Sequence, residues 1–172
     1  MIPPLFGVVG WKNSGKTTLM AKLIANFAAR GLEVAAVKHA HHGFDVDHEG
    51  RDSFRYREAG ARTVAVSSAK RFAVMTELDG RPEPTLAELV RRIGHADIVL
   101  VEGFKREPHQ KLEVRRREAL QRTPLAPQDP SIVAVAADFE IEEAGLPGFS
   151  LDSIDAIAEF ILARIAPQEQ RP

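Results

Sequence analysis

The chain reads as α/β, a mostly parallel sheet with helices on both faces, and three observations carry that reading. Apolar runs of strand length alternate with segments of helical period. Those runs are continuous rather than alternating, as expected of strands buried on both sides. The polar clusters at 10–17, 38–50, 102–111 and 136–140 each follow such a run, placing them at the carboxyl ends of strands, where sheets of this class bind ligands.

Leu5 to Val9 is the first strand, bounded by prolines before and glycine after. Beyond Lys16 the period changes, for Leu19, Leu23, Ile24 and Phe27 recur at three- and four-residue spacing up to Gly31, a helix with glycine past its end. "LEVAAVKH" is a second buried strand, so the chain opens with a βαβ unit. The stretch from His39 to Gly50, "HAHHGFDVDHEG", is polar and aperiodic and reads as an exposed loop. "RDSFRYREAG" is a short helix stopped by Gly60, and "TVAVSSAKRFAVMTELDG" is two strands around Ser67–Lys70. From Pro84 to Gly94 a helix places Leu86, Leu89, Val90 and Ile93 on one side. "ADIVLVEG" is the clearest central strand. The charged, proline-rich segment after it is expected to be a loop with a short strand at Leu112–Val114. "SIVAVAAD" is expected to be the last buried strand, and Ile154–Ile165 a closing amphipathic helix. Residues 1–166 are expected to form a single nucleotide-binding domain and 167–172 a frayed tail.

Composition narrows the function classes. Twenty-three Lys and Arg against 24 Asp and Glu leave a net charge of −1, so no global field draws the chain to nucleic acid or an anionic membrane. With no cysteine, disulfides, thiolate metal sites and cysteine catalysis are excluded. No apolar run reaches the roughly 18–20 residues that span a bilayer, and the N-terminus lacks a signal-peptide pattern. A cytoplasmic protein, with neither nucleic-acid nor membrane partners, is the expectation.

"GWKNSGKT", Gly10 to Thr17, matches G-x-x-x-x-G-K-[ST] and lies between a strand and a helix, the context that motif requires. Glycine at 10 and 15 lets successive backbone N–H groups face a pyrophosphate, and the helix N-terminus adds about half a positive charge. Lys12, Asn13 and Ser14 complete the loop. Lys16 would neutralise the β- and γ-phosphates, the Thr17 hydroxyl would bind Mg²⁺, and Thr18 would reach the α-phosphate side. The fold is therefore of the P-loop NTPase type.

A second carboxylate is needed near the metal, from a neighbouring strand. Glu102, ending "DIVLVEG", supplies it, whereas Asp97 opens the same strand and belongs at the far end of the sheet. The polar loop holds His39, His41, His42, Asp45, Asp47 and His48. It reads as a switch-like loop over the γ-phosphate and Mg²⁺, as a transition-metal site, or as a solvated loop. Arg51, Arg55 and Arg62, with Lys105, Arg106, Lys111 and Arg115–Arg117, would form a basic rim around an acidic-ligand pocket.

"VVGWKNSGKTTL", "VKHAHHGFDVDHEGRDSFRYREAGA", "DIVLVEGFK" and "IVAVAAD", in that order and over nearly the whole chain, resemble the MobB family of molybdopterin-guanine dinucleotide biosynthesis adapter proteins. The resemblance implies a dimeric GTP-binding protein with Mg²⁺ and weak GTPase activity at most. It would assist the molybdenum cofactor guanylyltransferase (MobA), which joins GMP to molybdopterin; molybdopterin is itself a further candidate ligand. The implied nucleotide site is Gly10–Thr18, with Glu102 at the magnesium position and Asp45 in the motif loop. The guanine-reading Asn-Lys-x-Asp is absent, the only asparagines being Asn13 and Asn26. Guanine would be read by backbone groups near Ala136–Asp138. Trp11 stands where the deviant P-loop ATPases carry a dimer-crossing lysine. Strands within Thr63–Leu78 are expected to pair across a two-fold axis. Two rivals remain: a small P-loop kinase or NTPase using Asp45 or Asp47 as base, and a metallochaperone GTPase using the histidines of 39–48.

Overall fold

The computed structural model describes residues 2–40, 43–141 and 145–166. His41, His42 and the tail expected at 167–172 lie outside the described residues. In chain order the elements are β1 (Leu5–Val9), α1 (Lys16–Ala29), β2 (Val34–Lys38), α2 (Asp52–Glu58), β3 (Thr63–Ser67), β4 (Phe72–Thr76), α3 (Leu86–Ile93), β5 (Ile98–Glu102), β6 (Lys111–Arg115), β7 (Ile132–Ala137), β8 (Gly148–Ser150) and α4 (Ile154–Ile165). The span 1–166 contains two compact units: residues up to His39 with those from Leu86 on, and Ala40–Thr85.

The first unit is a six-stranded sheet in the order β2-β5-β1-β6-β7-β8, with every neighbouring pair parallel. One face packs Phe6, Val8, Ile98, Leu100, Leu112 and Val114 against Leu19, Leu23 and Phe27 of α1 and Ile157 and Ile161 of α4. On the other face Val99 and Val101 meet Leu86 and Val90 of α3. Every residue of β5 is buried, which is why "IVLVE" shows no polar alternation.

Two expectations are extended here. The short strand expected at Leu112–Val114 runs from 111 to 115 and is paired between β1 and β7 rather than set in a loop, and beyond β7, the last buried strand as expected, the more exposed β8 pairs as well. The charges of "KLEVR" disguise β6. Leu112 and Val114 enter the α1–α4 core, while Lys111 and Glu113, 0% and 1% exposed, alternate to the other side. There the Lys111 ammonium donates to Asp129 Oδ2 at 2.9 Å and to the Ser131 hydroxyl. Glu113 accepts from the backbone N–H groups of Leu125 and Ala126, each at 2.9 Å, and from Arg115 at 2.7 Å. Residues 116–131 are thus fastened over the sheet by strand charges, and Lys111 belongs to this anchor rather than to a basic rim.

The connection from β5 to β6, residues 103–110, passes beside β1, where Gly7 N–H donates to the Gln110 carbonyl at 2.8 Å. A Cβ on Gly7 would lie 2.5 Å from His109 Nε2 and 2.7 Å from Lys111 Cγ, so glycine makes the room that this crossover occupies. Both ring nitrogens of His109 are buried without a hydrogen-bond partner among the described residues. Desolvation, helped by the Lys111 charge and opposed by Asp129, pulls its pKa from 6.5 down to about 4.

In the second unit β3 and β4 form an antiparallel ribbon, from Thr63 opposite Thr76 to Ser67 opposite Phe72. Ser68 closes its turn by accepting from the N–H groups of Lys70 and Arg71 at 3.3 and 3.2 Å. Val64 is its buried apolar residue.

Gly7→Ala is expected to cost roughly 1–3 kcal/mol through overpacking, measured by urea unfolding, and part of the loss should return in a His109→Ala background. His109 also sets a pH dependence. The unfolded chain binds more protons than the folded one between pH 6.5 and about 4, so stability falls as pH drops through that window. Because solvent still reaches this partly exposed residue and screens the effect, the expected loss is about 1–2 kcal/mol, and His109→Gln should flatten the slope in unfolding curves taken from pH 7 to 4.

Candidate functional site

The loop after β1 owes its shape to three left-handed residues, Gly10 (φ 150°), Asn13 (φ 63°) and Gly15 (φ 92°). At Gly10 any side chain is forbidden, because a Cβ would sit 2.4 Å from the Val114 carbonyl oxygen and 2.7 Å from Ser14 Oγ. Left-handed residues of this kind are what winds an anion nest, and within the loop the Ser14 N–H closes a turn onto the Trp11 carbonyl at 3.2 Å. α1 starts directly from Gly15 with no acidic residue in its first turn, so the positive end of the helix dipole is not offset. Ser14 is buried, whereas Lys12, Asn13, Thr17 and Thr18 are exposed at the mouth. Thr18 lies with Gly15, Lys22, Arg116 and Asp152 around a small depression beside the helix start.

Lys16 donates to the Trp11 carbonyl at 2.6 Å, which holds its ammonium across the loop. Burial pushes its pKa below the ordinary lysine value; Glu102 opposes that, and the charges of Lys105 and Lys38 add to it. Beside it, the Thr17 hydroxyl donates to both Glu102 oxygens, at 3.1 and 3.2 Å. Lys38 reaches Glu102 Oε1 at 3.5 Å from β2. The structure therefore brings Gly10–Thr18 and Glu102, which sequence reasoning assigns separately, into one place. It leaves Asp97 at the opposite end of β5, exposed and accepting from Glu33 N–H at 2.7 Å.

Asp45 belongs to the second unit and is engaged there. Arg57 donates to Asp45 at 2.8 Å and to Glu77 at 2.9 Å, and it lies 3.5 Å from Asp47. The Arg57 hydrogen bond holds the Asp45 carboxyl below its usual range. Arg57 has no part in the sequence reading, which picks Arg51, Arg55 and Arg62. Three acids gathered from one loop and one hairpin leave no local spacing that would single it out. Among the described residues no group of three or more His, Asp or Glu is arranged to hold a metal ion.

Trp11 is tied sideways, its indole N–H donating to the Thr123 carbonyl at 2.7 Å while Lys105 lies 4.0 Å from its ring centre. At the end of β7, Asp138 accepts from Arg117 N–H at 2.9 Å and faces Arg116 at 3.8 Å. A cavity of about 560 Å³ opens there, lined by Asp138, Phe139, Phe149 and Asp152 among others.

A phosphate-loop cradle, a hydroxyl from the first turn of α1 in contact with a carboxylate at the end of β5, and a separate hairpin unit form a specific combination. The family model described as molybdopterin guanine dinucleotide synthesis protein B matches residues 5–138. The chain belongs to this MobB family. It is 40% identical to a molybdopterin-guanine dinucleotide biosynthesis adapter protein of Haemophilus influenzae, covering 92% of this chain and 87% of that one. Against the Escherichia coli adapter protein the identity is 36%, with 92% and 91% covered. Among solved structures, Bacillus subtilis MobB superposes with a TM-score of 0.75 at 27% identity, covering 96% of this chain and 99% of that one. A MobB homolog from Bacillus stearothermophilus gives 0.69 at 28% identity, with 94% and 97% covered. These likenesses extend over the sheet and the hairpin unit alike, so the expected architecture holds along the chain.

Proposed function

We propose that this chain is a GTP-binding adapter in molybdopterin guanine dinucleotide biosynthesis, assisting the guanylyltransferase that attaches GMP to molybdopterin. Family membership supports the pathway. The observation that carries nucleotide binding is the contact of Thr17 with Glu102 beneath the Lys16 ammonium, at the mouth of a loop that excludes a side chain at Gly10. That donor set fits a triphosphate with Mg²⁺: backbone N–H groups of Asn13 and of 15–18, with Lys16, for the phosphate oxygens, and Thr17 and Glu102 for a hard cation that takes oxygen ligands, the Ser14 N–H being held by the Trp11 carbonyl. A bound Mg²⁺ would supply charge neutralisation between the phosphates. The protein's own part is to orient them. For the base, the cavity at the end of β7 supports the reading, because the carboxylate of Asp138 accepts hydrogen bonds of the kind guanine offers from its N1–H and exocyclic amine.

The second unit supports a homodimer. Its two-stranded ribbon has open edges, and Phe72 (78% exposed) and Val74 (58% exposed) stand on one face of β4, an arrangement that a second copy can cover by strand pairing. A cytoplasmic location is part of this reading. Among the described residues no helix is long and apolar enough to cross a membrane.

Titration calorimetry with GTP and ATP, with and without Mg²⁺, is expected to show preference for GTP with little turnover. Lys16→Ala should lower the affinity at least a hundredfold, about 3 kcal/mol, while Glu102→Gln should weaken Mg²⁺-dependent binding more than metal-free binding. Unaltered affinity in Lys16→Ala would remove the phosphate-loop assignment. For the dimer, light scattering should give twice the chain mass, and Phe72→Asp with Val74→Lys should return the monomer with nucleotide binding retained.

A further inference from the structure

Lys105 is a cation near the phosphate loop that the nucleotide-site assignment does not use. It sits three residues past Glu102, after two consecutive left-handed residues, Gly103 (φ 92°) and Phe104 (φ 48°). Phenylalanine adopts that conformation only at a cost, and such strain persists where the surroundings enforce it. Here they do. A Cβ on Gly103 would lie 3.0 Å from His39 Cβ, and the Phe104 ring packs on the His39 ring with centres 4.6 Å apart. Gly103 N–H donates to the Val8 carbonyl at 3.2 Å, and His39 N–H to the Glu102 carbonyl at 2.9 Å. The turn is thereby fixed to both neighbouring strands, and what it delivers is the Lys105 ammonium, 4.0 Å from the centre of the Trp11 ring.

Trp11 is also the residue whose carbonyl holds Lys16. Two ammonium groups are therefore stationed on either side of one loop residue, close enough for Lys105 to depress the Lys16 pKa, and burial lowers Lys105 as well. Glu113 draws on Lys105 from β6, but its carboxylate oxygens are occupied by the N–H groups of 125 and 126 and by Arg115. A half-buried cation resting on an aromatic face gains modestly from it and exchanges that contact readily for a phosphate oxygen. We propose that Lys105 is a triphosphate-selecting residue: held over Trp11 by the strained Gly103–Phe104 turn, it moves from the indole face onto the terminal phosphate group of a bound nucleoside triphosphate. The inference rests on the nucleotide reading above and adds to it a way of telling triphosphate from diphosphate.

Trp11 is the sole tryptophan, so its emission reports directly on the ammonium above it. In the full-length wild type, GTP with Mg²⁺ is expected to shift Trp11 fluorescence, while GDP with Mg²⁺ binds without that shift. Lys105→Met should lose roughly tenfold in GTP affinity and less than twofold in GDP affinity, the scale of one charge-assisted contact. Lys105→Arg should keep the preference. The same emission change with GDP, or equal losses for both nucleotides in Lys105→Met, would overturn the proposal by leaving Lys105 a structural partner of Trp11. Should Lys105→Met fold poorly by circular dichroism, the wild-type emission with the two nucleotides decides alone. Absence of calorimetric binding by the wild type to either nucleotide would instead remove the nucleotide reading itself.

Discussion

The parallel register that sets Val8 of β1 opposite Glu102 of β5, and Lys38 of β2 opposite the same glutamate, determines what can meet at the phosphate loop. A slip of one residue would carry Glu102 to the other face of the sheet and bring Val101 to Thr17. What prevents the slip is burial on both faces. Val99 and Val101 belong to the α3 side, and Ile98 and Leu100 to the α1–α4 side, so no shifted pairing keeps both sets covered. The site is therefore a consequence of core packing. Its carboxylate is placed by four apolar residues before it.

β6 meets a different constraint. It lies inside the sheet yet carries Lys111, Glu113 and Arg115, and a charge taken from water costs several kcal/mol unless it is paired and hydrogen-bonded. Lys111 and Glu113 are satisfied by the segment that covers them, Asp129 and Ser131 for the lysine and the 125 and 126 amides for the glutamate, and Arg115 pairs with Glu113 on its own strand. The pairing in turn fixes residues 116–131 without a regular helix over this part of the sheet. That segment supplies the Thr123 carbonyl to Trp11 and carries Arg116 past Gly15. A strand that would be cheaper as valine and leucine is thus the means by which an irregular segment is held beside the phosphate loop.

These two strands also explain how far the sequence alone could go. "DIVLVEG" is legible because nothing but packing acts on its interior, and "GWKNSGKT" because one loop geometry demands those residue types. The order of the elements and the pairing of Thr17 with Glu102 followed from them. "KLEVR" was not legible as an interior strand, since its partners lie 12 to 20 residues further on and no local period announces them. The short β8 carries too little apolar surface to stand out. Arg57 went unseen, and Lys111 was assigned to a rim instead of an anchor, for one reason: an ion pair formed through tertiary contact leaves no spacing in the chain.

The turn at Gly103–Phe104 joins these lines of argument. Only glycine enters a left-handed turn without cost, and the second residue is phenylalanine, so the conformation is maintained by the packing of Phe104 on His39 and by hydrogen bonds to β1 and β2. A relaxed connection would let residue 105 follow the crossover down toward Gln110. The strained one holds it at the carboxyl end of the sheet, beside Trp11. Strain retained next to a functional loop, and aimed at a single cation, argues that the position of that cation was worth its cost. The same contacts join the end of β2, the end of β5 and the phosphate loop, through His39 on Phe104, Gly103 on Val8 and Lys105 on Trp11.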